Sequence, residues 1–318
     1  MRFARRDLPR APLRARVAAV VAVVAVACVS GCLGSARGAD RPAPPRPVIN
    51  LSLPWPSEGQ AAIEVAGLGS LGTSGTMEPV PIASVTKVMT AYVILNSHPL
   101  QPGAPGPLIE VDAAAARESL SQRESTAPVR AGQRLSQREL LDLMMVPSGN
   151  NVARLLARWD AGSEEAFVRK MNAAAADLGM ADTVYTGASG NEDSTVSTAT
   201  DQLTLARQAM KNKVFRQIVA TTQTTVPGDS RVIPNTNTLL DKPGVIGIET
   251  GSGTAAGGNL MWAAKARVGG KTRLVLGVVL AQSANTDPTT GKHAALDASD
   301  KLITSVQQSL ASSRISVG

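Results

Sequence analysis

The 318-residue chain is poor in the side chains on which most metal and redox chemistry depends: it has two cysteines and two histidines. Cys28 and Cys32 both lie near the N-terminus and His98 and His293 are far apart, so a zinc site of three or four nitrogen and sulfur ligands cannot be assembled. Hydrolytic chemistry, if present, must come from oxygen and amine groups, with no metal and no cofactor. Aromatic residues are equally scarce, at three Trp, two Tyr and three Phe. Small side chains, alanine above all, must therefore fill much of the core. With 43% hydrophobic and 18% charged residues, disorder throughout is excluded.

The formal charge of +7 suggests an acidic partner until it is located. Nine arginines fall within residues 1 to 46 against Asp7 and Asp40, which leaves 23 basic and 23 acidic side chains over 47 to 318. The body is formally neutral. A nucleic-acid partner is not expected, because counterion release needs Lys and Arg clustered on the folded domain.

Arg2 to Arg16 form a basic stretch, Val17 to Val29 are apolar, and Val29-Ser30-Gly31-Cys32 follows. This is the layout of a secretory signal. Its last four residues resemble the lipobox of bacterial lipoproteins, which implies lipid attachment on Cys32 and loss of Cys28 with the signal. An uncleaved anchor is the alternative, since Val17 to Ala36 carry no charge. Either reading exports the rest, to the outer face of the cytoplasmic membrane or the cell wall. Six prolines between Pro42 and Pro56 favour extended, semi-stiff chain. The expected organisation is a signal peptide over 1–31, a Pro-rich linker over 32–60 and one catalytic domain over 61–312.

Hydrophobic periodicity and punctuation predict the order of elements. A strand is expected at Ala61–Ala66, then a turn or hairpin over Gly67–Gly75. Five helices follow, at Ser84–Ser97, Leu135–Met145 with Ser136 as N-cap, Asn150–Trp159, a segment capped by Ser163 and ending at Gly179, and Thr198–Met210. Strands are expected at Val245–Glu249, Asn259–Arg267 and Thr272–Ala281, the last two joined at Gly269-Gly270, and a final helix at Ala294–Leu310. Strand, block of helices, three strands, helix is an α+β order in which the first strand and last helix join the late strands.

Three short segments carry chemistry. Ser84-Val85-Thr86-Lys87 sets a hydroxyl and an amine three residues apart on one helix face. Apolar neighbours and the positive helix terminus depress the lysine pKa, so a Ser–Lys pair replaces Ser–His in a chain almost without histidine. Alone the pattern means little, since a chain of this length contains on the order of one by chance. Ser148-Gly149-Asn150 sits in a loop between two helices, where a turn and N-cap is the plain reading. Gly247-Ile248-Glu249-Thr250-Gly251-Ser252-Gly253 is a strand ending in small residues, plainly a strand with a β-turn.

In this order and spacing the three segments resemble the S-x-x-K, S-x-N and K-T-G motifs of penicillin-binding serine enzymes. Pro81-Ile82-Ala83-Ser84-Val85-Thr86-Lys87-Val88-Met89 and Val146-Pro147-Ser148-Gly149-Asn150-Asn151 are similar to the D-alanyl-D-alanine carboxypeptidase family, over roughly Gln60 to Leu310. The resemblance implies a β-lactamase/transpeptidase-like α+β fold: an antiparallel sheet flanked by helices, a mostly helical subdomain, and the active site at their interface. It implies Ser84 as nucleophile, Lys87 as its base and Ser148 as proton relay. Asn150, Glu249, Thr250, Gly251 and Ser252 would contact substrate, with the backbone N–H groups of Ser84 and Ser252 as oxyanion hole. Peptidoglycan stem peptides are the implied substrates and β-lactam antibiotics the implied acylating inhibitors. The sequence ends soon after its last helix, so the C-terminal β-domain and amphipathic anchor of some family members are not expected.

One position departs from the pattern. Glu249 stands where the family has the lysine of K-T-G. Two unit charges about 4 Å apart interact by about 4 kcal/mol at an effective dielectric of about 20, so reversing the sign matters. Glu249 either pairs with Lys87 and raises its pKa, or points aside while another cation, Arg231 or Lys242, supplies the charge. Three functions are open: a working serine DD-carboxypeptidase, a catalytically impaired penicillin-binding fold that binds peptidoglycan or a partner, and a β-lactamase. The last is disfavoured because S-D-N and a glutamate-containing loop are not evident.

Overall fold

A computed structural model describes residues 51–312. Expectations for the signal segment, and for Cys32, lie outside the described residues. The domain opens with β1 (Gln60–Val65), β2 (Gly69–Ser74) and β3 (Val80–Pro81), followed by a 3-10 turn at Ala83–Thr86 and α1 (Lys87–Ser97). A helical block follows: β4 (Leu108–Glu110), α2 (Ala113–Glu118), β5 (Arg134–Ser136), α3 (Gln137–Met145), α4 (Asn150–Ala161), α5 (Glu164–Asp177), β6 (Val196–Ser197), α6 (Ala199–Ala209) and α7 (Lys213–Val219). The chain closes with β7 (Gln223–Thr225), β8 (Val232–Pro234), β9 (Val245–Gly253), β10 (Gly257–Val268), β11 (Lys271–Gln282) and α8 (Pro288–Ser312).

The main sheet is antiparallel in the order β2-β1-β11-β10-β9. The first strand thus inserts beside the last, as the element order predicted. Alternation along the strands divides the core. Ala61, Ile63 and Val65 of β1, Leu260, Trp262 and Ala264 of β10, and Val275 and Val279 of β11 pack with Leu302, Ile303 and Val306 of α8. Met261, Ala263, Leu276, Val278 and Leu280 join the larger core built from α1, α3, α4, α6 and α7. The result is an α+β fold with helices on both sheet faces. Residues 51–59 also lie against the body: Leu53 is buried in the α8-side core, and the Glu58 carbonyl accepts from Gln282 Nε2 at 2.9 Å.

Local signals act where their chemistry demands. Ser136 and Glu139 form a reciprocal capping box at the start of α3, while Ser163 and Thr198 cap α5 and α6. Gly162 closes α4 in the left-handed region. The Gly269-Gly270 turn has φ of 54° and 78°, the positive values that a tight hairpin between twisted strands requires.

Several boundaries differ from expectation. The helix predicted from Ser84 begins with a 3-10 turn and becomes α-helical only at Lys87. Leu135 and Ser136 belong to β5, paired with β4, so α3 starts at Gln137. The last helix starts at Pro288, which places His293 on a helix rather than in a loop. The helices α2 and α7 were not predicted. In α2 only Ala115 is buried, too little for a periodic signal. His98 caps the C-terminus of α1, its Nε2 2.9 Å from Asp160 Oδ1 and its ring centroid 4.0 Å from that of Trp159, the planes tilted by 35°.

Candidate active site

The start of α1, the loop before α4 and strand β9 converge. Ser84 sits in the 3-10 turn, which sets its hydroxyl against the amine one turn on: Lys87 Nζ donates to Ser84 Oγ at 2.7 Å. The lysine is fully buried and also donates to the Ser189 carbonyl at 3.0 Å. Burial brings its pKa down to about 8, against the nearby Glu249 carboxyl, which pulls upward more than any other charge. Arg154 assists the lowering; Glu124 and Glu192 oppose it. The residue before Ser84, Ala83, has φ 47°, a left-handed conformation that costs a β-carbon-bearing residue about 1–3 kcal/mol and clusters at functional sites.

Ser148 carries the same kind of strain, with φ 59°. Its neighbours explain how the loop holds. The Gly149 N–H donates to the Leu143 carbonyl at 3.3 Å, the Asn150 N–H to the Ser125 carbonyl at 2.9 Å, and Asn151 bonds both backbone groups of Ala127. The Ser148 hydroxyl is thereby presented to β9, where it donates to Glu249 Oε1 at 2.8 Å. Asn150 donates from Nδ2 to Glu124 Oε2 at 2.7 Å, and its Oδ1 is buried with no partner.

Glu249 does not point aside. It is 1% exposed, bonds Ser148 through one oxygen, and its Oε2 has no partner. Burial pushes its pKa up to about 8, with the Lys87 charge and the Ser148 bond holding it back. Neither substitute cation reaches the position. Arg231 is exposed and forked onto Asp229, and Lys242 is held by Asp300 and by Thr304 Oγ1. Glu249 is thus turned inward and bonded to Ser148 rather than ion-paired with Lys87; its charge pulls the Lys87 pKa upward, but burial outweighs it and the net shift is downward.

The remaining third-motif residues line β9. Thr250 donates to Thr236 Oγ1 at 2.7 Å, and Thr236 N–H in turn donates to the Val146 carbonyl at 3.1 Å, tying the strand to the Ser148 loop. Gly251 lets β9 approach the turn that carries Ser84. A Cβ there would stand 2.8 Å from the Ile82 carbonyl oxygen and 3.1 Å from the Ser84 and Val85 nitrogens. Ser252 is half-buried, paired in register with Gly258 of β10.

Sequence reasoning missed four contributors: Glu124, Arg154, Ser189 and Thr236. Arg154 donates from Nε to Glu118 at 2.9 Å and from Nη2 to Glu124 at 2.6 Å, which fixes the carboxylate that holds Asn150. Its partners lie 30 or more residues away along the chain, outside any local pattern. Among the described residues no group of three His, Cys, Asp or Glu could hold a metal ion, and no helix is long and apolar enough to cross a membrane. The arrangement offers a hydroxyl nucleophile beside a buried amine whose pKa is lowered, and a second hydroxyl backed by a carboxyl.

Comparison with known proteins gives the family. The family model for D-alanyl-D-alanine carboxypeptidases, peptidase family S11, matches residues 71–283. The D-alanyl-D-alanine carboxypeptidase of Streptomyces sp. (strain K15) is 36% identical over 216 residues, 63% of this chain and 72% of that protein. The D-alanyl-D-alanine carboxypeptidase DacB2 of Mycobacterium tuberculosis is 35% identical over 182 residues, 55% of this chain and 59% of that protein. Among solved structures, the Streptomyces K15 DD-transpeptidase superposes with a TM-score of 0.68 at 28% identity, covering 81% of this chain and 98% of that one. Penicillin binding protein 6B from Escherichia coli gives 0.68 at 27% identity, covering 83% and 80%. With a fold, a motif order and a family match all in accord, this chain belongs to the D-alanyl-D-alanine carboxypeptidase family of serine DD-peptidases.

Proposed function

We propose that the chain is a serine D-Ala-D-Ala carboxypeptidase that trims the terminal D-alanine of peptidoglycan stem peptides through an acyl-enzyme on Ser84. The observation that carries this reading is the 2.7 Å contact between Lys87 Nζ and Ser84 Oγ, made by a lysine with no exposure. A buried amine with its pKa near 8 is neutral in part at physiological pH, so it takes the Ser84 proton as Oγ attacks the carbonyl between the two D-alanines. Backbone N–H groups of Ser84 and Ser252 receive the oxyanion, a contribution of about 2.7–4 kcal/mol per donor in comparable sites. Ser148 passes a proton to the departing amine. Asn150 Oδ1, buried and unpartnered, accepts a substrate amide N–H, and Thr250 meets the terminal residue. Water then releases the trimmed peptide, and a β-lactam follows the first half of the same path.

This reading keeps a signal peptide at 1–31, with export and a lipid on Cys32, and a Pro-rich linker from 32, but starts the catalytic domain before the expected 61, because Leu53 packs in its core and β1 begins at Gln60. Mass spectrometry of the mature protein tests the anchor: an acylated Cys32 at the N-terminus supports it, an intact Met1 overturns it.

A second reading, an impaired fold that binds peptidoglycan without cleaving it, is favoured by one observation: the Ser148 hydroxyl is spent on Glu249 Oε1. Labelled penicillin separates the two. Covalent label on the wild type that is absent from Ser84→Ala, together with D-alanine release from a stem pentapeptide, supports the enzyme. No Ser84-dependent label and no D-alanine sink it in favour of the binding module, while rapid turnover of the label indicates a β-lactamase.

A further inference from the structure

The position behind Thr250 holds a carboxyl, and the cations around it are committed elsewhere. Lys87 is directed at Ser84 and Ser189. Arg154 is pinned by Glu118 and Glu124, and Arg231 and Lys242 are bound to Asp229 and Asp300. Of the charges that act on the Lys87 amine, the Glu249 carboxyl is the strongest, with Glu124 and Glu192 of the same sign and Arg154 opposing them. A leaving residue with a free carboxylate brings a negative charge to β9, where Thr250 Oγ1 is already shared with Thr236. Hydroxyl and backbone N–H groups alone must then receive it. Attraction is missing, and any ionised fraction of Glu249 adds repulsion.

We propose that Glu249 is a specificity-determining residue that turns the leaving-group side of this cleft toward peptides whose carboxyl next to the scissile amide nitrogen is neutralised as a carboxamide. This rests on the reading of Ser84 as a nucleophile in a DD-peptidase. A carboxamide needs no cation at this position, and it brings two N–H donors to a region where Asn150 Oδ1 and Glu249 Oε2 have no partner. The bond broken is the ordinary peptide bond. Its acyl half passes to Ser84 Oγ and then to water, and its nitrogen leaves as the amine of D-alaninamide in place of D-alanine.

The test is a matched pair of substrates, diacetyl-L-Lys-D-Ala-D-Ala and the same peptide with a C-terminal carboxamide, with kcat/KM measured for wild type, Glu249→Gln and Glu249→Lys. Wild type is expected to cleave the amide at least as fast as the acid. Glu249→Lys should shift the ratio toward the acid by about tenfold or more, the factor corresponding to ~1.4 kcal/mol, chiefly through KM. Glu249→Gln should fall between them, and it keeps the test valid if the buried lysine variant does not fold. A merely structural role for Glu249 would change both substrates together and leave the ratio unmoved, which overturns the proposal. A wild-type preference for the acid with Ser84 still labelled by penicillin overturns the specificity alone. Failure to cleave either peptide or to take up label overturns it together with the assignment of Ser84.

Discussion

Ser148 and Glu249, 101 residues apart in sequence, share a buried hydrogen bond of 2.8 Å in which the hydroxyl donates and the carboxyl accepts. That bond joins the loop before α4 to the middle of β9. It also places an acidic side chain within the electrostatic reach of the Ser84–Lys87 pair. Both Lys87 and Glu249 are displaced toward pH 8 by burial, from opposite directions.

Activity should therefore rise with pH. Acylation of Ser84 needs neutral Lys87, so the second-order rate for penicillin labelling should climb from pH 6 and level off above about 8. Glu249 raises the Lys87 pKa, so Glu249→Gln should move this limb to lower pH. A limb that stays in place in the variant would show that the two groups are not coupled.

Stability should move the other way over part of the same range. Glu249 has a folded pKa above its unfolded one, so the folded state holds the extra proton between about pH 4.5 and 8 and loses stability as pH rises, by up to ~1.4 kcal/mol per unit. Lys87, lowered from 10.5 to about 8, has the opposite sign and restores stability between pH 8 and 10.5. Thermal melts of wild type should fall between pH 4.5 and 8 and recover above 8, whereas Glu249→Gln, which lacks the acidic branch, should show only the recovery. Parallel curves for the two proteins would refute the assignment.

Gly251→Ala should damage both catalysis and folding. Its Cβ would crowd the Ile82 carbonyl and the Ser84 and Val85 nitrogens, pushing β9 away from the turn that carries the nucleophile. Penicillin acylation should fall by about tenfold to a thousandfold, the scale of losing an oxyanion donor, and the melting temperature should fall as well, because the clash is with backbone that cannot swing aside. Near wild-type labelling would mean the strand tolerates the displacement.

Arg154→Ala leaves Glu118 and Glu124 without their shared guanidinium, which is 12% exposed. Because the network is only partly buried, the loss should be about 3 kcal/mol, at the low end for a broken buried pair, as read by urea denaturation. Combining it with Glu124→Gln should recover part of the loss, since the second change removes the uncompensated charge. Strict additivity of the two variants would argue against their coupling.

The sequence was legible wherever the physics is local. Caps at Ser136 and Ser163, the glycine turn at 269–270, and the apolar runs of β10 and β11 bounded by that turn depend on neighbours within a few residues. So does the Ser84–Lys87 contact, which spans one helical turn and needs nothing from the rest of the chain to be foreseen. The three motifs together determined the family and the fold.

Only the tertiary structure decided what Glu249 does. Whether that side chain points outward or inward depends on the fit of β9 against a loop about 100 residues earlier in the chain. The same holds for Arg154, whose ion pairs reach across 30 and 36 residues to fix the carboxylate under Asn150. Backbone propensity and short-range pattern carry no term for contacts of that separation. They are made when packed elements meet, and burial at that meeting displaces the pKa values of Lys87 and Glu249.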